Sequence, residues 1–281
     1  MPDILLDMLP PVGICIYCSG TKDLTDEHVI PFSLGGKLVL PKSSCTKCNK
    51  LTHKFEGAVA RKVFGQFRAA YQVQTRRPEE RPNFVKIRTK SGELRWVPIE
   101  EAPDILFVPK SYEPEIILGI KSPYPWGGQG TWAIGGENTD YSKFQETHNW
   151  DGSISVDTHP WNFGRMLAKI AHSYAVARLG IDGFSPLLTD IIKGKVQYLG
   201  FLIGTETKHQ NAAAHMHELF IYSLRLKQDS DNLYVAADIR LFAEHCLPKY
   251  RVVVGILNGR HTVYTLTDKP LYTQAIEYVR A

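Results

Sequence analysis

Four of the five cysteines fall into two pairs, Cys15-x2-Cys18 and Cys45-x2-Cys48, with 26 residues between the pairs. A CxxC turn presents two sulfurs from one loop, and four thiolates complete the tetrahedron that zinc prefers. The spacing predicts a structural Zn2+ with no open coordination position, a metal that holds the fold and does no chemistry. Between the pairs, in "CIYCSGTKDLTDEHVIPFSLGG", Glu27 and His28 stand side by side, and Asn49 directly follows the fourth cysteine in "SSCTKCNK". Clipping both pairs to one ion brings the Glu27–His28 segment close to Asn49. A carboxylate, an imidazole and a carboxamide then converge, which suits hydrolysis of a phosphodiester. The oxygens of Glu27 and Asn49 can hold a hard divalent ion such as Mg2+ that keeps several waters. Such an ion stabilises charge developing on the leaving oxygen. His28 can take the proton of the attacking water, since an imidazole is ordinarily neutral near pH 7. His53, one helical turn after Asn49, is a further candidate ligand or phosphate contact, or else a solvent-facing helix residue.

The elements that must position these groups are partly legible. Residues 13–40 read as short strands and turns: "GICIYC" is apolar and β-branched, and "HVIPFSLGGKLVL" suggests a hairpin around Gly-Gly. From Cys48 the period changes. Leu51, Phe55, Val59, Val63, Phe67, Ala70 and Tyr71 recur at steps of three and four, predicting one amphipathic helix over 48–71. Lys50, Lys54, Arg61, Lys62 and Arg68 fall on its other face. A polar stretch with two prolines, 74–83, is the candidate linker. Strands are expected at "FVKIRT", "ELRWVPI", "DILFVP" and "EIILGI", and a loop at the Gly-rich "PWGGQGTWAIGGEN". That loop lacks the strand–loop–helix setting and the Lys-Ser/Thr of a phosphate cradle. "PWNFGRMLAKIAHSYAVARLG" predicts a core helix, with Pro160 in its first turn and Gly180 past its end. The last third, including "VQYLGFLIGT", "ELFIYSLRL", "LYVAADIRLF", "RVVVGILN" and "HTVYTLT", reads as strands. There are no internal repeats.

Charge is uneven. The chain carries a net +4, yet residues 42–91 hold thirteen Lys/Arg against three acids. A local excess of this size attracts polyanions through counterion release, although a solvated helix face would look the same. Lys50, Lys54, Arg61, Arg76 and Arg77 are the candidate nucleic-acid contacts, with Arg81 beside them. No apolar run approaches the roughly 20 residues needed to cross a bilayer. The N-terminal "MPDILLDMLPPVG" carries Asp3 and Asp7 and lacks a basic start, so no signal peptide and no membrane association are expected. A cytoplasmic setting follows as the expectation, one in which clustered thiols hold metal more often than disulfides.

"CIYC…DEHVIPFSLGG…SSCTKCN" resembles the HNH endonucleases, specifically the zinc-stapled subgroup with a ββα-metal active site in a treble-clef-like finger. The resemblance covers residues 13–60. It implies His28 as general base, Glu27 as a ligand of the catalytic metal where many relatives have Asp, and Asn49 as the helix-borne ligand or orienter. The middle Asn of the family name aligns with Leu40, which cannot hold the histidine loop by a side-chain hydrogen bond. The direction of His28 must then come from backbone groups, or the site is weakened.

The expected fold is α+β: a treble-clef-like ββα-metal zinc module over residues 1–75, a basic linker over 76–83, and a larger mixed α+β domain of unassigned role over 84–281. The expected activity is metal-dependent endonucleolytic cleavage of nucleic acid, with DNA as the substrate. Two other readings stand beside it. The finger could be a non-catalytic nucleic-acid-binding module, or a tether for a working C-terminal part. His215 and His217 read as structural, His148 and His159 as loop residues, His172 as a core histidine and Cys246 as a buried core thiol.

Overall fold

Cys45 ends a strand and opens a helix, and the first unit of the fold is organised around that junction. In the computed structural model, which describes residues 6–75, 81–103, 105–123, 130–135, 140–153, 158–196, 198–206 and 210–259, β1 (Asp7–Met8), β2 (Leu24–His28) and β3 (Leu38–Cys45) form one sheet. Its order is β1-β3-β2, with β1 parallel and β2 antiparallel to β3. The β2–β3 connection holds a 3-10 turn, Phe32–Leu34, closed by Gly35 at φ 88°. At Gly36 a Cβ would lie 1.9 Å from the Ile30 carbonyl oxygen, so only glycine fits. The pairing register shifts between Thr25 and Glu27, where Lys42 adopts φ 49° and donates its backbone N–H to Asp26. Such a bulge re-aims the side chains that follow it.

Helix α1 (Thr46–Lys62) buries Cys48, Thr52, Phe55 and Val59, spaced four, three and four apart. The single helix expected over 48–71 is broken: α1 gives way to α2 (Gly65–Ala70) at Val63 and Phe64. Gly65 weakens helix propagation there, and the break lets Phe64 pack between Phe163 and Phe242 at ring distances of 6.0 and 5.3 Å.

Beyond residue 80, β4 (Phe84–Arg88) pairs with β5 (Leu94–Pro98), and β6 (Leu106–Lys110) with β7 (Gly130–Ile134). Helix α3 (Tyr141–His148) packs Phe144 with Trp150, Ile87 and Val97 in a small separate core. Helix α4 (Pro160–Leu179) is followed by β8 (Phe184–Pro186), α5 (Thr189–Ile192), β9 (Ile203–Thr205), β10 (Glu218–Leu226), β11 (Asp229–Arg240) and β12 (Tyr250–Leu257). The larger sheet runs β10-β11-β12-β8, and β9 pairs with the other half of β12. Every position of α4 from Phe163 to Val176 except Arg165 is buried, because the helix packs against α1 and against β10, β11 and β12. One hydrophobic cluster therefore runs from Cys15 to Val254 through both parts of the chain.

Several expectations need correction. "GICIYC" is a turn closed by Cys15 N–H to Gly20 O, the shape a metal knuckle requires. "EIILGI" is also a turn, since Pro114 starts a run of contacts from Ile117 and Leu118 back to its carbonyl. The Gly-rich stretch contains β7, and among the described residues of "VQYLGFLIGT" only Ile203–Thr205 is strand. His148 ends α3 and meets Glu101 at 2.9 Å, while His159 caps the start of α4. Cys246 is only partly buried. "HTVYTLT" lies outside the described residues.

Candidate metal centre and nucleic-acid cleft

The ligand sulfurs of Cys15, Cys18, Cys45 and Cys48 all lie within 4.8 Å of one another, and Cys18 and Cys45 are 3.7 Å apart. Four sulfurs at 2.3 Å from one zinc ion form a tetrahedron with edges of about 3.8 Å, so the donor set fits Zn2+. Cys45 stands at the N-cap of α1 without a side-chain cap, and Cys48 sits in the first turn. Helix N–H groups and the positive dipole end favour thiolates there. Burial raises Cys45, but hydrogen bonds from Cys48 outweigh it and bring the thiol down to about 7. Burial and the neighbouring Cys15 push Cys48 strongly up. Four crowded thiols cannot all ionise unless a cation balances them, which is the service zinc performs.

Beside this cluster opens a cleft of about 600 Å³ bordered by Glu27 and His28 at the end of β2 and by Asn49 and His53 on α1. Asn49, His53, Glu56 and Ala60 follow one helical stripe into it. Glu27 is buried, His28 half-buried and His53 exposed. Arg61 and Arg68 border the same cleft. Arg68 donates to the Ala60 carbonyl, and burial together with nearby Arg81 and Arg61 depresses its pKa. Clustered guanidinium groups of this kind suit a polyanion. Lys50 and Lys54 are exposed on α1 away from the cleft lining, and Arg76 and Arg77 lie outside the described residues.

Residues 15–64 match the HNH endonuclease family. No curated protein and no solved structure matches the chain. The match assigns the segment to nuclease or nucleic-acid-binding function, with nucleic acid as the class of partner. Its ββα arrangement is β2, β3 and α1, with the four-sulfur cluster at the β3–α1 junction. No helix among the described residues is long and apolar enough to cross a membrane.

Two groups beside the cleft were not announced by the motif, one inside the HNH segment and one on α4. Glu56 is buried one turn beyond His53, whose Nδ1 lies 3.5 Å from its carboxylate. Between Glu56 and Glu27 stands Lys169 of α4, fully buried, at 2.8 Å and 2.6 Å from them. Its ammonium also donates to the His28 carbonyl. Burial raises Glu27, with Lys169 opposing and Glu56 adding to the rise. Burial also works on Glu56, but Lys169 and His53 prevail and lower it. Glu56 lies on the same stripe as Asn49 and His53, so helical periodicity alone could have named it. Lys169 gave one signal only, a lysine amid the apolar face of the best-defined helix.

Other ties bind the HNH segment to the rest of the chain. His172, whose pKa burial lowers to about 4, meets the Ile16 carbonyl at 2.7 Å inside the first knuckle. Tyr17 and Ser173 share a hydroxyl contact of 3.1 Å. His217 donates from Nε2 to the Leu34 carbonyl at 2.8 Å and accepts at Nδ1 from Phe242 N–H at 3.1 Å. It lies just before β10 and is wholly structural in its contacts.

Proposed function

We propose that the HNH segment is an active endonuclease, hydrolysing phosphodiester bonds of nucleic acid, with DNA as its substrate. His28 serves as general base, and Glu27, Asn49 and His53 hold a divalent ion such as Mg2+. The observation that carries this reading is that Glu27, His28, Asn49 and His53, drawn from two separate stretches, border one open cleft beside a zinc-type cluster. Glu27 Oε2 is buried and has no hydrogen-bond partner, which leaves an oxygen of the right kind for a hard cation. When bound, the ion would supply Lewis-acid stabilisation of the leaving oxygen. His28 removes the proton of a water as its oxygen attacks phosphorus, while Arg61 and Arg68 hold the flanking phosphates. The structural Zn2+ keeps β3 and α1 joined and takes no part in the reaction.

The test is cleavage of supercoiled plasmid by purified protein with and without Mg2+, alongside His28→Ala. Removing the base should cost on the order of 100- to 10,000-fold in rate while salt-sensitive binding persists. Cleavage by His28→Ala at the wild-type rate would remove His28 from the role. A second reading, a finger that only grips nucleic acid, draws support from the ammonium that already neutralises Glu27. It is separated from the first by one result: binding without Mg2+-dependent strand cleavage.

A further inference from the structure

Lys169 has no part in the reaction as just described, yet its placement is costly. An ammonium taken out of water loses its solvation, and only close acceptors and opposite charges offset that loss. Its neighbours along α4, Ala168 and Ile170, are buried and apolar, and Lys169 itself is 0% exposed. The ammonium forms ion pairs with Glu27 Oε1 at 2.6 Å and Glu56 Oε1 at 2.8 Å, and it donates to the His28 carbonyl. The Val29 carbonyl lies further out at 3.4 Å. Leu40, paired across from Glu27, has no side-chain donor to offer this segment. The main chain at His28 is therefore held from α4, about 140 residues further along the sequence.

We propose that Lys169 is a positioning residue of the cleavage centre, supplied by the C-terminal part of the chain. This rests on the proposed endonuclease activity. The ammonium fixes one oxygen of Glu27 and leaves Oε2 as the oxygen available to a divalent ion. It fixes the carbonyl of His28, and with it the direction from which the imidazole enters the cleft. Glu56, itself on α1, balances the charge and carries the contact to His53 one turn earlier. The part of the chain beyond residue 83 thus completes the cutting site.

The experiment compares wild type, Lys169→Met, Glu56→Gln and the double variant, measuring plasmid cleavage at saturating Mg2+, Mn2+ binding by calorimetry, zinc content and melting. Methionine keeps the length of the stem without the charge. Loss of an orienting contact of this kind costs about 10- to 100-fold in activity. Lys169→Met should lose at least that lower bound in kcat, while binding Mn2+ no more weakly than wild type, because a positive charge beside Glu27 has gone. A purely structural lysine would lose both together. Should Lys169→Met not fold, the double variant removes one charge of each sign and leaves the net charge of the pocket unchanged. Its kcat should then fall at least tenfold below that of Glu56→Gln. The proposal is overturned by a smaller loss in the folded, zinc-loaded variant, by a gain in activity, or by loss of Mn2+ binding along with activity. Absence of Mg2+-dependent cleavage in wild type would instead overturn the endonuclease reading itself.

Discussion

His217 offers a stability test whose sign and size follow from its contacts. The imidazole is 1% exposed, and both ring nitrogens are engaged as a neutral ring: Nε2–H to Leu34 O, Nδ1 from Phe242 N–H. Adding a proton at Nδ1 would set one N–H against another and bury a charge. Burial accordingly lowers its pKa from 6.5 to about 4. The folded value lies below the unfolded one, so the unfolded chain takes the proton first. Stability from this group is complete above about pH 6.5 and declines as pH falls toward 4. At 1.36 kcal/mol per pKa unit, the loss between pH 7 and pH 5 comes to about 2 kcal/mol. His217→Gln supplies a comparison, because glutamine offers one donor and one acceptor and does not titrate. Urea unfolding at both pH values should show wild type losing about 2 kcal/mol more than the variant. Titration of the four clustered cysteines affects both proteins alike and cancels in the difference. Equal losses in the two proteins would mean that His217 is not held neutral by burial, and the reasoning would fail.

Cys45→Ser keeps a good N-cap for α1, so a fall in stability would report the metal and not the helix. The expected outcome is loss of bound zinc together with a lower melting temperature, checked by metal analysis and calorimetry. Gly36→Ala forces a Cβ to within 1.9 Å of the Ile30 carbonyl. It should cost about 1–3 kcal/mol and slow plasmid cleavage by shifting the segment after His28, and an unaltered melting curve would contradict this.

The sequence showed the parts of this molecule that depend on spacing within a few tens of residues. Both thiol pairs, the Glu27–His28 pair, Asn49, α1, α4 and the strands β10, β11 and β12 were readable because their patterns are local. Misreadings came where a local pattern competes with a tertiary demand. "GICIYC" has strand composition, but a knuckle must turn to aim two sulfurs at one point. The 48–71 helix breaks because Phe64 and Phe67 answer to packing partners near residues 163 and 242. Lys169 was invisible as a site residue because nothing in its helix names the two carboxylates it joins. His217 was legible as a structural histidine, but not its partners at residues 34 and 242, which lie on either side of it in sequence.

The HNH segment is consequently no cassette. A fusion carrying residues 1–75 alone would take along the sulfur clips together with Glu27, His28, Asn49 and His53. It would leave behind the counter-ion that sits between Glu27 and Glu56, so two inward-facing acids would repel in a half-stripped core. Transferring the HNH segment to another protein therefore calls for α4 and the strands that seat it, not for the finger by itself.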